Sequence, residues 1–167
     1  MTEVLASEFS YHSPVDIRIL FLRIFGALFL CGLIGLEREI RNNTAGIRTN
    51  MLIGLSATVY SLVTLYMLET MTGDSDATRM DPIRLVEAVT SGVAFLAAGV
   101  VVYTRGDVRG LTTGASMWLS AGVGLTVGLG MWIVAIVATI TGVIVLWLLR
   151  KTEIALGIKE EEDGGRG

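Results

Sequence analysis

The chain has little of what soluble catalysts are built from. Cys31 is the only cysteine in 167 residues, so no internal disulfide can form. It sits inside an apolar run, where a buried, inert thiol is the expected state. His12 is the only histidine, which argues against a histidine-ligated zinc or iron site and against a Ser-His-Asp triad. No paired carboxylates, metal-binding motif or nucleophile–base pair can be seen, so neither a metal nor a cofactor is expected and the chain does not read as an enzyme. The net charge of −3 leaves no basic footprint for nucleic acid. No basic stretch precedes an apolar core and a small-residue cleavage site at the start, so no cleaved signal peptide is expected. No internal repeat signals a transporter made of duplicated halves.

What the sequence has in excess is apolar surface. Apolar residues make up 52% of it and mean hydropathy is +0.65, which places so short a chain in the membrane class. Charges cluster in short stretches between apolar runs. The expected fold class is all-α, a polytopic membrane bundle of about five transmembrane helices. A polar N-terminal tail over 1–16 leads into a membrane domain over 17–150. A charged tail over 151–167 follows, with Arg150 and Lys151 as an interfacial anchor.

Five spans are expected. The first runs from Ile17 to Leu36, the second from Asn50 to Leu68 and the third from Ile83 to Tyr103. A tight charged turn, Thr104 to Gly110, leads back into the membrane. No charged residue occurs from Gly110 to Leu149. One helix of that length would be about 60 Å, twice the hydrocarbon thickness, so it must fold back. The break is expected at Val127-Gly128-Leu129-Gly130, giving spans from Leu111 to Thr126 and from Met131 to Leu149. Ser56, Thr58, Ser61 and Thr64 on the second span can bond to their own helix or across to a neighbour. Asp74, Asp76 and Asp81 lie in a loop that reads as solvated and acidic rather than as a cation site, which needs six or more convergent oxygens.

Basic residues set the orientation. Arg38, Arg41, Arg48, Arg105, Arg109, Arg150 and Lys151 collect at one side, against Arg18, Arg79 and Arg84 at the other. The positive-inside rule then puts the N-terminus outside and the C-terminus in the cytoplasm, in the plasma (inner) membrane. Arg23 and Glu87 fall at matching depth, roughly 6 to 9 Å into the membrane, and are expected to pair or to share a polar cavity. Such a pair would either fix helix register or carry function.

A second constellation is expected at the cytoplasmic end: Glu37, Arg38, Arg48, Thr49, Arg105, Asp107, Arg109, Thr112 and Thr113. A mutual salt-bridge network closing that end is the favoured reading. The alternative is an anion site for phosphate or a lipid head group, since two helix N-termini would point there. Gly35, Ala88, Ser91, Gly92, Ala98, Gly99, Gly114, Gly122 and Gly124 are the expected close-packing positions, where small residues let helix backbones approach.

Several of these residues carry a family resemblance. Gly35-Leu36-Glu37-Arg38-Glu39 followed by Ala45-Gly46-Ile47-Arg48-Thr49 resembles the first signature of the MgtC/SapB family. Ser91 to Gly99, then Val108-Arg109-Gly110-Leu111-Thr112-Thr113, resembles the second, continued by Trp118, Ser120 to Gly124 and the Gly128-Leu129-Gly130 break. Ala94 and Ala97 stand where the family usually has glycine. The best-known members also carry a soluble C-terminal domain, which is not expected here after Arg150.

The resemblance implies an inner-membrane, non-enzymatic factor in magnesium homeostasis and in adaptation to low magnesium and host stress. It also implies a membrane-protein partner, such as the proton-translocating ATP synthase. Beside the lipid bilayer, a second copy of the chain is a further candidate partner. The alternative function is a small transporter or channel for magnesium, protons or an anion, using Arg23 and Glu87. Arginine at both ends of such a path fits magnesium poorly.

Overall fold

The computed structural model describes residues 15–40, 43–71, 83–104 and 107–155. The N-terminal tail to residue 14, the acidic loop with Asp74, Asp76 and Asp81, and Arg105 lie outside the described residues, as does the C-terminal tail from residue 156. Five helices are described: α1 (Ile17–Ile40), α2 (Ile47–Met71), α3 (Ile83–Val100), α4 (Leu111–Gly128) and α5 (Trp132–Ala155). By length and composition α1, α2 up to Thr70, and α3 are each able to cross a membrane. The chain is thus a helical membrane bundle.

The third span is shorter than its apolar sequence suggests. Helix α3 stops at Val100, and Val101 N–H donates to the Ala98 carbonyl in a tightened last turn. Strands β1 (Val102–Thr104) and β2 (Asp107–Arg109) then pair antiparallel, with Val102 opposite Arg109 and Tyr103 opposite Val108. The expected charged turn is therefore a small ribbon. The reason is local, because Val101, Val102, Tyr103 and Thr104 are β-branched or aromatic and favour extended backbone. Gly110 ends the ribbon at φ 91°, and a Cβ there would run into the Val100 carbonyl.

The break in the long charge-free run falls where the glycines predict it. Helix α4 ends at Gly128 and Gly130 takes φ 83°. Gly130 N–H donates to the Val127 carbonyl at 2.9 Å and Met131 N–H to the Thr126 carbonyl at 2.7 Å. This double bond around a left-handed glycine satisfies carbonyls that a helix end would leave open, and turns the chain directly into α5.

Helix α4 is the axis of the bundle. It packs most extensively on α2 and also on α3, α1 and α5, while α1 joins α2 and α5 on the outside. Eleven of its 18 residues are buried. One side of α4 (Met117, Ala121, Leu125) closes a core with Ile53 and Ala57 of α2 and Val89 and Val93 of α3. The other side (Val123, Val127) closes a second core with Ala27, Leu30, Cys31 and Ile34 of α1 and Ala135 of α5.

The α2–α4 seam is a close crossing. A Cβ on Gly124 would overlap the Gly54 carbonyl and come within 2.8 Å of the Gly54 Cα. At that separation the hydroxyls of α2 reach the backbone of α4. Thr58 Oγ1 lies 2.9 Å from both the Gly54 and the Gly124 carbonyls. Ser61 Oγ lies 3.0 Å from the Ala57 carbonyl and 3.2 Å from that of Leu125. Each hydroxyl shares its one proton between its own helix and the next. Such bonds between membrane helices contribute about 0.6 kcal/mol each, on top of the packing. Ser56, on the exposed side, bonds only back to the Leu52 carbonyl.

The outer surface is apolar and large. Phe21, Leu22, Phe25 and Phe29 of α1 and Ile133, Val137 and Ile140 of α5 are exposed, and Phe21 stacks on Phe25. In water such surface would drive aggregation, whereas hydrocarbon is its matched solvent.

Candidate functional site

Buried polar side chains gather toward one end of the bundle, where α1 ends and α2 and α4 begin: Glu37, Arg38, Asn50, Thr113 and Ser116, with Thr58, Ser61 and Thr139 buried elsewhere along α2 and α5. Asn43 closes the end of α1, its backbone N–H and its Nδ2 donating to the Arg38 carbonyl at 3.2 and 3.3 Å. Arg38 then turns inward. Its Nη2 donates to Thr113 Oγ1 at 3.2 Å, and its Nη1 lies 3.8 Å from Glu37 Oε2. Both side chains of this ion pair are buried. Removing one partner of such a pair would leave a charge out of water, at about 3 to 5 kcal/mol.

A second layer lies beneath the first. Asn50 is fully buried. Its Nδ2 donates to the Ala45 and Gly46 carbonyls at 3.1 and 2.9 Å, and its Oδ1 accepts from Ser120 Oγ at 2.8 Å. The Cys31 thiol donates to the Ser120 carbonyl at 3.4 Å. Asn50 thus ties the α1–α2 connector to the middle of α4. Above it, Ser116 Oγ donates to the Thr113 carbonyl at 2.8 Å. Gly35 sits against the backbone of Gly46 and Ile47, which brings the connector down onto α1.

The start of α2, where the alternative reading puts an anion, has an occupant from the chain itself. Glu39 Oε2 accepts the Ile47 N–H at 3.1 Å. A carboxylate here complements the positive end of the helix dipole, as an external phosphate would. Of the expected cluster, the structure brings Glu37, Arg38 and Thr113 together. Thr49 is half-buried, whereas Arg48, Arg109 and Thr112 are exposed. Asp107 contributes its backbone to β2.

The expected pairing of Arg23 with Glu87 is not what the described side chains do. Arg23 Nη1 donates to the Gly128 carbonyl at 2.7 Å, and its guanidinium lies against Gly130. It caps the negative end of α4, completing the turn into α5. Glu87 is exposed on α3. The reason is azimuth rather than depth: α1 packs on α2, α4 and α5, while α3 leans on α4 and, lightly, on α2. The two residues can share a height and still face different sides.

The expected packing positions divide in the same way. Gly35 and Gly124 make backbone-close contacts, and a Cβ on Gly114 would lie 3.2 Å from that of Ala97. A Cβ on Gly92, Gly99 or Gly122 would meet nothing within 4 Å, and Ala88, Ser91 and Ala98 are exposed. Sequence reasoning missed Glu39, Asn50, Gly54, Ser120 and Gly128 as site or packing residues. The available signal was an amide opening an apolar span, since such a side chain has to find partners inside the protein. Among the described residues no group of three or more His, Cys, Asp or Glu is placed to hold a metal ion.

The comparisons with known proteins follow this geometry. The MgtC family model matches residues 24–154, from within α1 to the last turn of α5 and including the ribbon. A protein of Salmonella typhimurium named Protein MgtC is 39% identical over 130 residues, covering 78% of this chain and 52% of its own length. Protein MgtC of Brucella abortus is 39% identical over 125 residues, covering 75% of this chain and 49% of its own length. An uncharacterized protein of Haemophilus influenzae is 34% identical over 147 residues, covering 83% of this chain and 62% of its own length. The chain thus spans about half to three-fifths of the length of these relatives. No solved structure matches it. With the match running from α1 to the end of α5, the chain belongs to the MgtC family.

Proposed function

We propose that the chain is a non-enzymatic membrane factor in magnesium homeostasis and in adaptation to low magnesium and stress, acting through membrane partners. The observation that carries this reading is how the polar groups of the bundle are used. Arg38, Asn50, Thr58, Ser61 and Ser120 bond to other helices or connectors of the same chain, and Arg23 holds a helix end. A transport path would need polar groups facing a shared passage. Of its two candidate residues, Arg23 is held on the Gly128 carbonyl and Glu87 is exposed on α3.

The proposed orientation has the N-terminus outside and the ribbon and the α1–α2 connector in the cytoplasm, since Arg38, Arg48 and Arg109 lie at that end. A partner such as the proton-translocating ATP synthase, implied by the family resemblance, would be met within the same membrane.

Two measurements test this. Purified protein in proteoliposomes is expected to pass neither magnesium nor protons, read with dyes for each. Flux that disappears in Glu87→Gln would overturn the reading in favour of transport. Expression in a bacterium lacking its own MgtC-type protein is expected to restore growth in low magnesium. Failure of well-expressed protein to do so would remove the magnesium role.

A further inference from the structure

Helix α3 has two unlike sides. Val89 and Val93 are buried against α2 and α4, with Leu85, Ala97 and Val100 partly buried beside them. On the opposite side lie Arg84, Glu87, Ser91, Ala94 and Ala98, all exposed. Their spacing alternates three and four residues, the repeat that keeps one stripe of a helix facing a second helix along its length.

This stripe is unlike the rest of the outer surface. Outward positions on α1 and α5 carry Phe21, Phe25, Phe29, Ile133, Val137 and Ile140. The stripe on α3 itself carries no large apolar side chain, with the exposed Phe95 flanking it. Its upper part is charged, and Glu87 lies roughly 6 Å along the helix from its start, where a carboxylate facing hydrocarbon is costly. Among the described residues neither Arg84 nor Glu87 has an ion-pair partner within the chain. Lipid is a poor neighbour for the two charges, Arg84 and Glu87. Another helix, with opposite charges within side-chain reach and small residues below them, is a good one.

We propose that this side of α3 is a two-fold interface between two copies of the chain. Ser91, Ala94 and Ala98 pack against their equivalents, and Arg84 of each copy pairs with Glu87 of the other. The partner follows from the charges. Two copies in one membrane share their orientation, so their α3 helices run parallel and equal positions meet at equal depth. Arg84 and Glu87 differ in height by about 4.5 Å, within the reach of an arginine side chain. A two-fold interface must complement itself, each residue meeting in the partner what the partner meets in it. One cation beside one anion does so, whereas a stripe of one sign would repel its copy. The proposal goes beyond the functional reading above and does not depend on it.

The test is disulfide cross-linking of the full chain in native membranes, with two differently tagged copies co-expressed and Cys31→Ala as background. Ser91→Cys, Ala94→Cys and Ala98→Cys are each expected to give a cross-linked pair carrying both tags. Val86→Cys and Leu96→Cys, exposed on other sides of α3, are expected to give none. Arg84→Glu or Glu87→Arg alone should lower cross-linking through Ala98→Cys to the level of Leu96→Cys, and the two changes together should restore it. Restoration also shows that the single variants did not merely misfold. Equal cross-linking at all five positions, cross-links only to a different protein, no pair at all, or no recovery in the double variant would each overturn the proposal.

Discussion

Helices α3 and α4 are both 18 residues long, both rich in small residues, and joined by the short ribbon, yet they end in opposite environments. Eleven residues of α4 are buried; in α3 only Val89 and Val93 are. Small side chains therefore do not by themselves decide burial. What decides it is whether a facing helix offers a matching groove and matching bonds. Helix α4 finds Gly54 opposite Gly124, and Thr58 and Ser61 opposite its backbone carbonyls. The glycines of α3 find no such counterpart within the chain. The same composition serves as an internal seam in one helix and as an outward surface in the other.

The sharpest way to test that contrast is to add volume to each helix. Gly124→Val puts a branched side chain into the Gly54 backbone. It is expected to lower stability by about 3 kcal/mol or more, because neither backbone can retreat without opening the seam. Thermal denaturation in detergent and the amount of protein in the membrane both read this. If Gly124→Val folds like the parent, the seam is not what fixes α4 at the centre.

A smaller effect is expected from Arg23→Met, which keeps the apolar stem and removes the guanidinium. The Gly128 carbonyl loses its donor, at about 1 to 3 kcal/mol. The variant sharpens the comparison by separating the cap of α4 from its packing, and its signature is earlier hydrogen exchange at the α4–α5 turn than in the α2–α4 seam. Uniform loss of protection would mean that cap and seam act as one unit.

The smallest effect is expected at Gly92→Ala. Open space surrounds that position, and replacing a mid-helix glycine is worth about 0.5 to 1 kcal/mol in favour of folding. A loss of thermal stability there would mean that α3 is covered more closely than its exposure implies.

Much of the fold was legible because it depends on one-dimensional quantities. The length of the charge-free run forced a fold-back, and Gly128 and Gly130 marked where it occurs. The hydroxyls of α2 could be seen as bonding groups, and Thr58 and Ser61 use both of the modes available to them. What depends on rotation about a helix axis was not legible. Sequence fixes the height of Arg23 and Glu87 through rise per residue, but their sides follow from which helices pack, and α4, which packs on both α1 and α3, decides that. The site shows the same limit. Arg38 and Thr113 meet at the end where their positions along the spans put them, whereas Glu39 capping Ile47 and Asn50 reaching Ser120 depend on how the connector folds back over α1.

The hold of Arg23 on Gly128 also bears on the order of assembly. The two residues are 105 positions apart, so α1 leaves the ribosome long before its acceptor carbonyl exists. An arginine in an isolated helix raises the cost of entering the bilayer, by about 2.5 to 3.5 kcal/mol at the centre and by less at the depth of Arg23. Until α4 arrives, α1 has to keep Arg23 at the membrane surface or beside the insertion machinery. Helix α1 is therefore among the last to be secured, and its final seat depends on α4 being completed.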